Sequence, residues 1–255
     1  SPGDGTYKNV EKKLRSIDTA IRNHEKEAVT SCYRVFSPIP LNYQSWRINH
    51  EDLIYDKKIG AGVSSTVYHG YDKRDGSEVA IKEMKFDILT GAKLQAFQRE
   101  ISILASVKHS CLISFIGATE KPPYCIVTEW LGGGTLFTEL HVGRKLSNTM
   151  LSIAMYDIAR GMQFLHSRSI IHRDLKSLNV LLDTKGFAHI CDFGFSRRED
   201  DKMTQNIGTV QWMAPEVNES GCVCGPKVDV YAYGIVLWEV LAKEMPFVGL
   251  NTQTI

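Results

Sequence analysis

Three short strings in the second half of the chain constrain its fold and chemistry more than any other feature. HRDLKSLNVLL begins at His172, DFG begins at Asp192 and APE ends at Glu216. Asp174 precedes Asn179 by five residues and Asp192 by 18 residues. A solvated acidic loop could contain either aspartate alone, but three strings in this order favour one site built from all of them.

Composition excludes several classes of protein. With 255 residues, of which 43% are hydrophobic, the chain can bury an ordinary core as one large domain or as two lobes. A formal net charge of +1 gives no global attraction to nucleic acid or to an anionic membrane. No apolar run reaches the ~18 residues that a membrane span requires. No basic and apolar leader follows Ser1, which predicts no signal peptide.

The six cysteines are dispersed along the chain. A chain of this size does not need disulfides to fold, so we expect a reducing, cytoplasmic (intracellular) location. Cys222 and Cys224 form a lone C-x-C string. Since a closed zinc site needs four ligands, ordinary thiols are the better interpretation of this pair.

Residues 1–45 form a candidate N-terminal extension. Apolar residues recur at helical spacing between about residues 7 and 28, which predicts an amphipathic helix. They are Val10, Leu14, Ile17 and Ile21. Pro38 and Pro40 forbid continued helix and predict a linker. The charged residues of the helix are most simply its solvated face, and contact with a partner or with a second copy of the chain is the alternative.

The remaining chain shows strand patterns first and helical patterns later. Strands are predicted as a hairpin over residues 53–71, around Val79–Ile81, and as a pair joined by Pro122–Pro123. Helical periodicity occurs at residues 93–106, 148–167 and 228–241. A small sheet with one helix, followed by a helical part, predicts an α+β fold of two lobes with a cleft between them.

Glycines and a lysine in the predicted strands indicate a second functional region. Gly60 and Gly62, in IGAGVSSTV, would let backbone amides approach a phosphate, although a tight hairpin that needs positive φ also explains them. Lys82 lies in VAIK with Ala80 on the same side of the strand, and an exposed lysine on an edge strand is the alternative. Glu100 lies on the next helix among apolar residues, where its carboxylate can pair with Lys82.

Together these segments resemble a eukaryotic protein kinase domain of the serine/threonine type, with Ser65 where a third glycine is usual. HRDLKSLN, GTVQWMAPE and Trp46-Arg47-Ile48 are similar to the tyrosine-kinase-like group, which includes Raf and mixed-lineage kinases. The resemblance implies a bilobal fold: residues 46–131 as a mainly antiparallel N-lobe with one key helix and the hinge, and residues 132–255 as a mainly helical C-lobe. Kinase domains normally continue further, so we expect this C-lobe to be incomplete.

The resemblance also implies roles for the charged residues. Asp174 orients the substrate hydroxyl and accepts its proton, and Lys176 steadies the transferring phosphate. Asn179 and Asp192 hold the metal ions, which are Mg²⁺ or alternatively Mn²⁺. Lys82 positions the phosphates of ATP. The expected catalytic residues are therefore Asp174, Lys176, Lys82 and Asn179.

The nucleotide pocket is assigned from the same resemblance. It comprises the glycines Gly60 and Gly62, Val67 and Ala80 above the adenine, Leu181 below it, the gatekeeper Thr128, the hinge from Glu129 to Leu131, and the charged residues Lys82, Glu100 and Asp192. An apolar stack that connects the lobes is expected from Leu104, Phe115, His172 and Phe193, for each of which core packing is the simpler explanation.

The implied function is ATP-dependent transfer of the γ-phosphoryl group to serine or threonine of protein substrates in intracellular signalling. Lys176 is typical of serine/threonine kinases, and Thr209 is expected beside it. Thr204 is the preferred phosphosite, where a phosphate could pair with Arg173. One alternative is a pseudokinase that binds nucleotide as a scaffold or switch, against which the intact charged residues argue. The other is an inactive fragment with an oligomerising N-terminal helix.

Overall fold

The computed structural model describes residues 12–24, 46–86, 91–143, 145–198, 209–218 and 225–250. Three sequence predictions fall outside these ranges: the proline linker, the C-x-C string and the phosphosite Thr204. Among the described residues, no helix has the length and apolar character needed to cross a membrane.

The N-terminal part is built on a five-stranded antiparallel sheet. Its strands are β1 (Leu53–Ala61), β2 (Ser65–Asp72), β3 (Glu78–Met84), β4 (Phe115–Ala118) and β5 (Cys125–Glu129). They lie in the order β1-β2-β3-β5-β4, so β3 is the central strand. The predicted hairpin and the three later strands are therefore all present.

The register of the sheet sorts its side chains onto two faces. Val67 pairs with Lys82, and Ala80 pairs with Thr128. Since Cβ atoms alternate along a strand and directly paired residues share a face, these four side chains lie on one face of the sheet. Val79 and Ile81 point to the other face and are fully buried, in a cluster that also contains the following residues: Ile48, Leu53, Cys125 and Val127.

Five α-helical segments complete the fold in the described part of the chain. They are α1, described over residues 12–24, α2 (Gly91–Ser106), α3 (Leu136–Thr138, which continues as a wider turn over Glu139–Gly143) and α4 (Asn148–Ser167), and after them comes α5 (Lys227–Ala242). Ser147 caps α4, because its side chain accepts a hydrogen bond from the Met150 amide at 3.2 Å. The inward face of α2 carries Phe97, Glu100, Ile101 and Leu104, each of which lies three or four residues from another member of the set.

Short strands join the later helices. They are β6 (Ile170–Ile171), β7 (Val180–Leu182), β8 (Ala188–Ile190) and β9 (Arg197–Arg198). β6 pairs with β9 and β7 pairs with β8, both antiparallel. Sheet and helices thus segregate along the chain, and the predicted α+β fold is confirmed. These short strands hold the string that begins at His172 next to the DFG string that begins at Asp192.

The helix α1 contacts the later part of the chain through its last described residue. His24 is only 6% exposed, and its Nε2 lies 2.6 Å from Oδ1 of Asp157 on α4. The imidazole also packs 3.8 Å, centroid to centroid, from the ring of Phe187. Ile17 and Ile21 are partly buried, whereas Leu14 is 60% exposed. The predicted apolar face is therefore only partly covered within the described residues.

Candidate active site

The turn between β1 and β2 carries the two glycines. Neither Gly60 nor Gly62 has a positive φ, so the alternative explanation by a positive-φ hairpin is wrong. A Cβ added at Gly60 would meet no atom within 4 Å, and one added at Gly62 would meet only the Ser65 carbonyl oxygen at 3.9 Å. The backbone at these two glycines therefore has free space on the side where a Cβ would lie, as close approach of a phosphate requires.

Lys82 lies on the central strand β3, which rules out the alternative of an edge-strand lysine. Its side chain is 23% exposed. The ammonium Nζ donates to Oε1 of Glu100 at 2.7 Å and to Oδ1 of Asp192 at 3.0 Å. The pair with Glu100 predicted from the sequence is thus present, and Asp192 joins it from the DFG string.

Burial and the neighbouring charges shift the pKa values of Lys82, Asp192 and Glu100. Burial lowers the pKa of Lys82, but the carboxylates of Glu100 and Asp192 oppose burial, and the net shift is upward. Burial raises the pKa of Asp192, but the Lys82 ammonium outweighs it, and the net shift is downward. Burial raises the pKa of Glu100 more than the ammonium lowers it. A charged Lys82 facing an ionised Asp192 is the favoured state at neutral pH.

Asp174 lies at the centre of a second polar cluster. Its Oδ2 accepts from Lys176 Nζ at 2.8 Å and from Asn179 Nδ2 at 2.9 Å. Its Oδ1 accepts from both the amide and the hydroxyl of Thr209 at 3.1 Å. Lys176 Nζ also donates to Thr209 Oγ1 at 2.5 Å. Thr209 therefore lies beside Asp174 and Lys176, as the sequence predicts.

His172 joins the two polar strings. Its Nδ1 accepts from the Asp174 amide at 3.3 Å, and its Nε2 donates to the Cys191 carbonyl oxygen at 3.0 Å. The Cys191 amide in turn donates to the Asn179 carbonyl oxygen at 3.0 Å. The buried imidazole lies 5.4 Å from the Phe193 ring, and Phe193 belongs to the same core cluster as Leu104 and Phe115. These bonds fix the HRD string against the DFG string.

The residues expected around a nucleotide lie near these groups. Val67, Ala80 and Thr128 share the face of the sheet that carries Lys82. Leu131 and Leu181 are partly buried against the main core cluster. The side chain of Glu129 is engaged elsewhere, because its Oε1 accepts from the Ser114 amide at 2.8 Å. All of these residues are partly buried.

Two buried carboxylates on α5 support the expected catalytic loop, residues 172–179, and sequence reasoning missed both. Asp229 accepts from the His172 amide at 2.9 Å and from the Arg173 amide at 2.8 Å. Arg173 has a φ of 69°, a left-handed conformation that side chains other than glycine rarely adopt. Glu239, which is fully buried, accepts from Ser177 Oγ at 2.7 Å and from Trp212 Nε1 at 3.1 Å. The only signal in the sequence was two acids within an otherwise apolar helix.

We expect Asp229→Ala to destabilise the chain and disorder its catalytic loop. The change removes a buried carboxylate together with its three hydrogen bonds, to the amides of His172 and Arg173 and to His166 Nε2 at 2.8 Å. It also frees the strained backbone at Arg173. We expect a loss of about 3 kcal/mol in the free energy of unfolding, which lowers Tm by roughly 6–12 °C. Thermal unfolding followed by circular dichroism measures it. Asp229→Asn, which keeps one acceptor oxygen, should lie between parent and Asp229→Ala, and an unchanged Tm in Asp229→Ala would contradict the assignment.

Comparison with known proteins agrees with this geometry. The family described as "protein kinase domain" matches residues 53–255. Serine/threonine-protein kinase STY46 of Arabidopsis thaliana is 39% identical over 229 residues, which are 88% of this chain and 39% of that protein. Serine/threonine-protein kinase TNNI3K of Homo sapiens is 36% identical over 260 residues, 98% of this chain and 30% of that protein.

A third relative is a kinase with a different type of name. Mitogen-activated protein kinase kinase kinase dlk-1 of Caenorhabditis briggsae is 35% identical over 247 residues, 91% of this chain and 27% of that protein. The chain spans well under half the length of each of these relatives. The relatives agree with the predicted likeness to serine/threonine kinases of the tyrosine-kinase-like group. Two of these relatives are named as serine/threonine-protein kinases, and the chain belongs to the protein kinase domain family.

Proposed function

We propose that this protein transfers the γ-phosphoryl group of ATP to serine and threonine hydroxyls of protein substrates. Members of its family use ATP and a divalent metal ion, and they act on proteins. The observation that carries the proposal is the joint contact of Lys176 and Thr209 with the Asp174 carboxylate. It sets a proton acceptor beside a fixed positive charge, which is the arrangement that phosphoryl transfer to a hydroxyl requires.

The residues assigned to the metal fit a hard cation. The Asn179 amide nitrogen donates twice to Asp174, at 2.8 Å to its carbonyl oxygen and at 2.9 Å to its carboxylate. The side-chain carbonyl oxygen of Asn179, Oδ1, therefore remains for another partner. Asp192 uses Oδ1 for Lys82, which leaves Oδ2. These oxygens suit Mg²⁺, with Mn²⁺ as the alternative, and such an ion neutralises phosphate charge when it is bound.

The other residues bind, orient and transfer a proton. Lys82, held by Glu100, presents its ammonium to the phosphates of ATP. Asp174 orients the attacking hydroxyl and accepts its proton, and Lys176 compensates charge on the transferring group. We assign the nucleotide pocket to the following residues: Gly60, Gly62, Val67, Ala80, Thr128, Glu129, Leu131 and Leu181. The four side-chain and backbone contacts of the Asp174 carboxylate are all hydrogen bonds donated to it.

Thr209 is expected to affect the chemical step more than substrate binding. Its hydroxyl bridges Lys176 and Asp174, and Thr209→Val removes that bridge at nearly constant shape. Hydrogen bonds to charged groups contribute about 1.5–3 kcal/mol, so we expect kcat to fall by about 10- to 100-fold with little change in the KM for ATP. Thr209→Ser retains the hydroxyl and should stay near the parent. Steady-state kinetics measures both constants, and equal kcat for the Val and Ser variants would contradict the bridge.

The experiment for the proposed function is transfer of radiolabelled phosphate from ATP to a generic protein substrate, followed by phosphoamino-acid analysis. We expect label on serine and threonine, and transfer slower by about 10²–10⁴-fold with Asp174→Asn. Saturable binding of nucleotide with no transfer would instead support the pseudokinase alternative. Label on tyrosine alone would overturn the assignment of the substrate class.

The domain boundaries and the partner of the N-terminal extension are also proposals. We place an N-lobe with hinge at residues 46–131 and a partial C-lobe at residues 132–255. The described helix α1 of the extension docks on the C-lobe of the same chain in this proposal, and the buried contact between His24 and Asp157 supports it. The alternative is self-association through the exposed Leu14. Sedimentation with and without residues 1–45 separates the two, because only self-association changes the oligomeric state.

Localisation and regulation complete the proposal. We propose an intracellular, cytoplasmic location, which the free thiols of Cys111, Cys125 and Cys191 support. Phosphorylation at Thr204, with Arg173 as its partner, stays a prediction from the sequence. Phosphopeptide mapping of active protein checks it, and full activity without phosphate at Thr204 would reject it as a switch.

A further inference from the structure

A cluster of potential metal ligands lies on the face of the N-terminal sheet opposite Lys82. Glu83 follows Lys82 on β3, so its side chain points to the other face, where it pairs directly with Cys125 on β5. Tyr55 reaches this face from β1, and His50 reaches it from the short 3₁₀ turn of His50–Asp52. The proposed kinase function uses none of these four side chains.

The four donor atoms converge within a few ångströms. His50, Glu83 and Cys125 each offer one ligand atom within 4.8 Å of the other two. The Tyr55 hydroxyl oxygen lies 3.2 Å from His50 Nε2, 3.3 Å from Cys125 Sγ and 2.6 Å from Glu83 Oε2. Zinc lies about 2.0–2.3 Å from nitrogen, oxygen and sulfur ligands, so donors of one tetrahedral site stand roughly 3.3–3.7 Å apart. The hydroxyl is thus near the ligand-to-ligand distance from the nitrogen and the sulfur.

The cluster combines one buried ligand with three partly exposed ligands, so an ion can reach it from solvent. Cys125 is fully buried. His50, Tyr55 and Glu83 are partly exposed, so an ion can approach from the outer face. The Tyr55 ring is fixed edge-on against Tyr68, with centroids 4.9 Å apart. Three different strands and one turn supply the donors, and the sheet register limits how far they can move apart.

The geometry points to a binding site for a borderline-soft divalent cation of the zinc class, with His50, Tyr55, Glu83 and Cys125 as its ligands. Sulfur and imidazole donors select Zn²⁺ or Co²⁺ over Mg²⁺ and Ca²⁺, which prefer oxygen ligands. The site therefore differs in chemistry from the oxygen-lined cleft at Asn179 and Asp192. It lies on the opposite face of the sheet and can be filled independently of nucleotide.

Binding changes the protonation of one ligand. Burial raises the pKa of the Cys125 thiol to about 11, so the thiol carries its proton at neutral pH when no cation is bound. The cation forms bonds to Cys125 sulfur, His50 Nε2, a Glu83 oxygen and the Tyr55 oxygen, and the thiol proton is released to solvent. The second Glu83 oxygen keeps the hydrogen bond from the Tyr55 hydroxyl. The charge of the ion compensates the buried thiolate, which would otherwise be costly.

Occupancy would clamp β1, β3 and β5 to the turn that precedes β1. A ligand that binds only the folded state stabilises that state by mass action. We therefore expect Zn²⁺ to raise Tm with or without ATP. The competing explanation is a purely hydrogen-bonded cluster around the Tyr55 hydroxyl, which predicts no response to the ion.

Titration of the reduced, nucleotide-free chain with Co²⁺ tests the site directly. Cobalt bound by a thiolate gives a sulfur-to-metal charge-transfer band and tetrahedral visible bands, and both should saturate at a single equivalent. Excess Mg²⁺ should leave the bands in place, and Zn²⁺ should displace them. Absence of a charge-transfer band in the parent chain would overturn the proposal.

Variants identify the ligands. Cys125→Ser should abolish the charge-transfer band, whereas Cys111→Ser, which changes another buried free thiol, should retain it, as should the double variant Cys222→Ser/Cys224→Ser. His50→Ala changes a partly exposed residue and should weaken binding by more than about 10-fold, and Tyr55→Phe should weaken it by about 10-fold. Circular dichroism checks that each variant is folded. A band that persists in Cys125→Ser, or unchanged affinity in His50→Ala, would overturn the assignment.

Discussion

Asp174→Asn should lower kcat by about 10²–10⁴-fold, the usual contribution of a general base, and should change the KM for ATP little. The amide keeps the shape of the carboxylate but does not accept a proton. It also presents an NH₂ group to Lys176 and Thr209, which both donate to the carboxylate in the parent. Because the lost interaction belongs to the reacting hydroxyl, the effect should appear in kcat.

Steady-state transfer kinetics measures this loss, and Asp56→Asn is a matched control. Asp56 is an exposed carboxylate on β1 that contacts His69, so the same chemical change there should leave kcat near the parent value. Unfolding temperatures of both variants separate lost chemistry from lost structure. An Asp174→Asn variant that retained a tenth of the parent kcat would refute the assignment of Asp174 as the proton acceptor.

Lys82→Met should lower kcat/KM by about 10²–10³-fold, because it removes a preorganised positive charge from the phosphate site. The change also leaves the Glu100 and Asp192 carboxylates close together without the ammonium that both contact. Burial already raises the pKa of Glu100, so we expect this residue to take up a proton in the variant and thereby limit the loss of stability. Function should therefore suffer more than folding.

Two further variants make this result specific. Lys58→Met removes an exposed lysine from β1 and should retain activity. Glu100→Gln keeps the charge of Lys82 and its contact with Asp192, so its loss of kcat/KM should be smaller than that of Lys82→Met. If Glu100→Gln lost as much activity as Lys82→Met, positioning by Glu100 and not the charge on Lys82 would dominate.

Local patterns were sufficient where the signal was short-range. The apolar period of α4 predicted both of its ends, because the residues that define the period lie within the helix itself. The contact between Lys82 and Glu100 followed from a strand and the next helix. Asp229 was missed because its partners, the amides of His172 and Arg173, lie 57 and 56 residues away in sequence. Its side-chain partner, His166 Nε2 at 2.8 Å, is 63 residues away, too far for a local pattern to pair the two residues.

The cluster of His50, Tyr55, Glu83 and Cys125 was missed for a related reason. Its members come from a turn, β1, β3 and β5, and only the register of the sheet brings them together. Spaced over residues 50–125, they match no short ligand string. The turn at Gly60 and Gly62 was predicted correctly, but its φ angles were not. These angles depend on how β1 and β2 pair, which the sequence does not specify.

The indole of Trp212 makes the support of the catalytic loop visible to fluorescence. Trp212 is 3% exposed and donates to the same buried carboxylate that holds Ser177, so its environment depends on that carboxylate staying in place. Trp238 is 45% exposed, and Trp46 and Trp130 are partly exposed, so a soluble quencher such as acrylamide reaches these three first. The blue-shifted emission that survives the quencher therefore reports an intact loop, with neither nucleotide nor substrate in the cuvette.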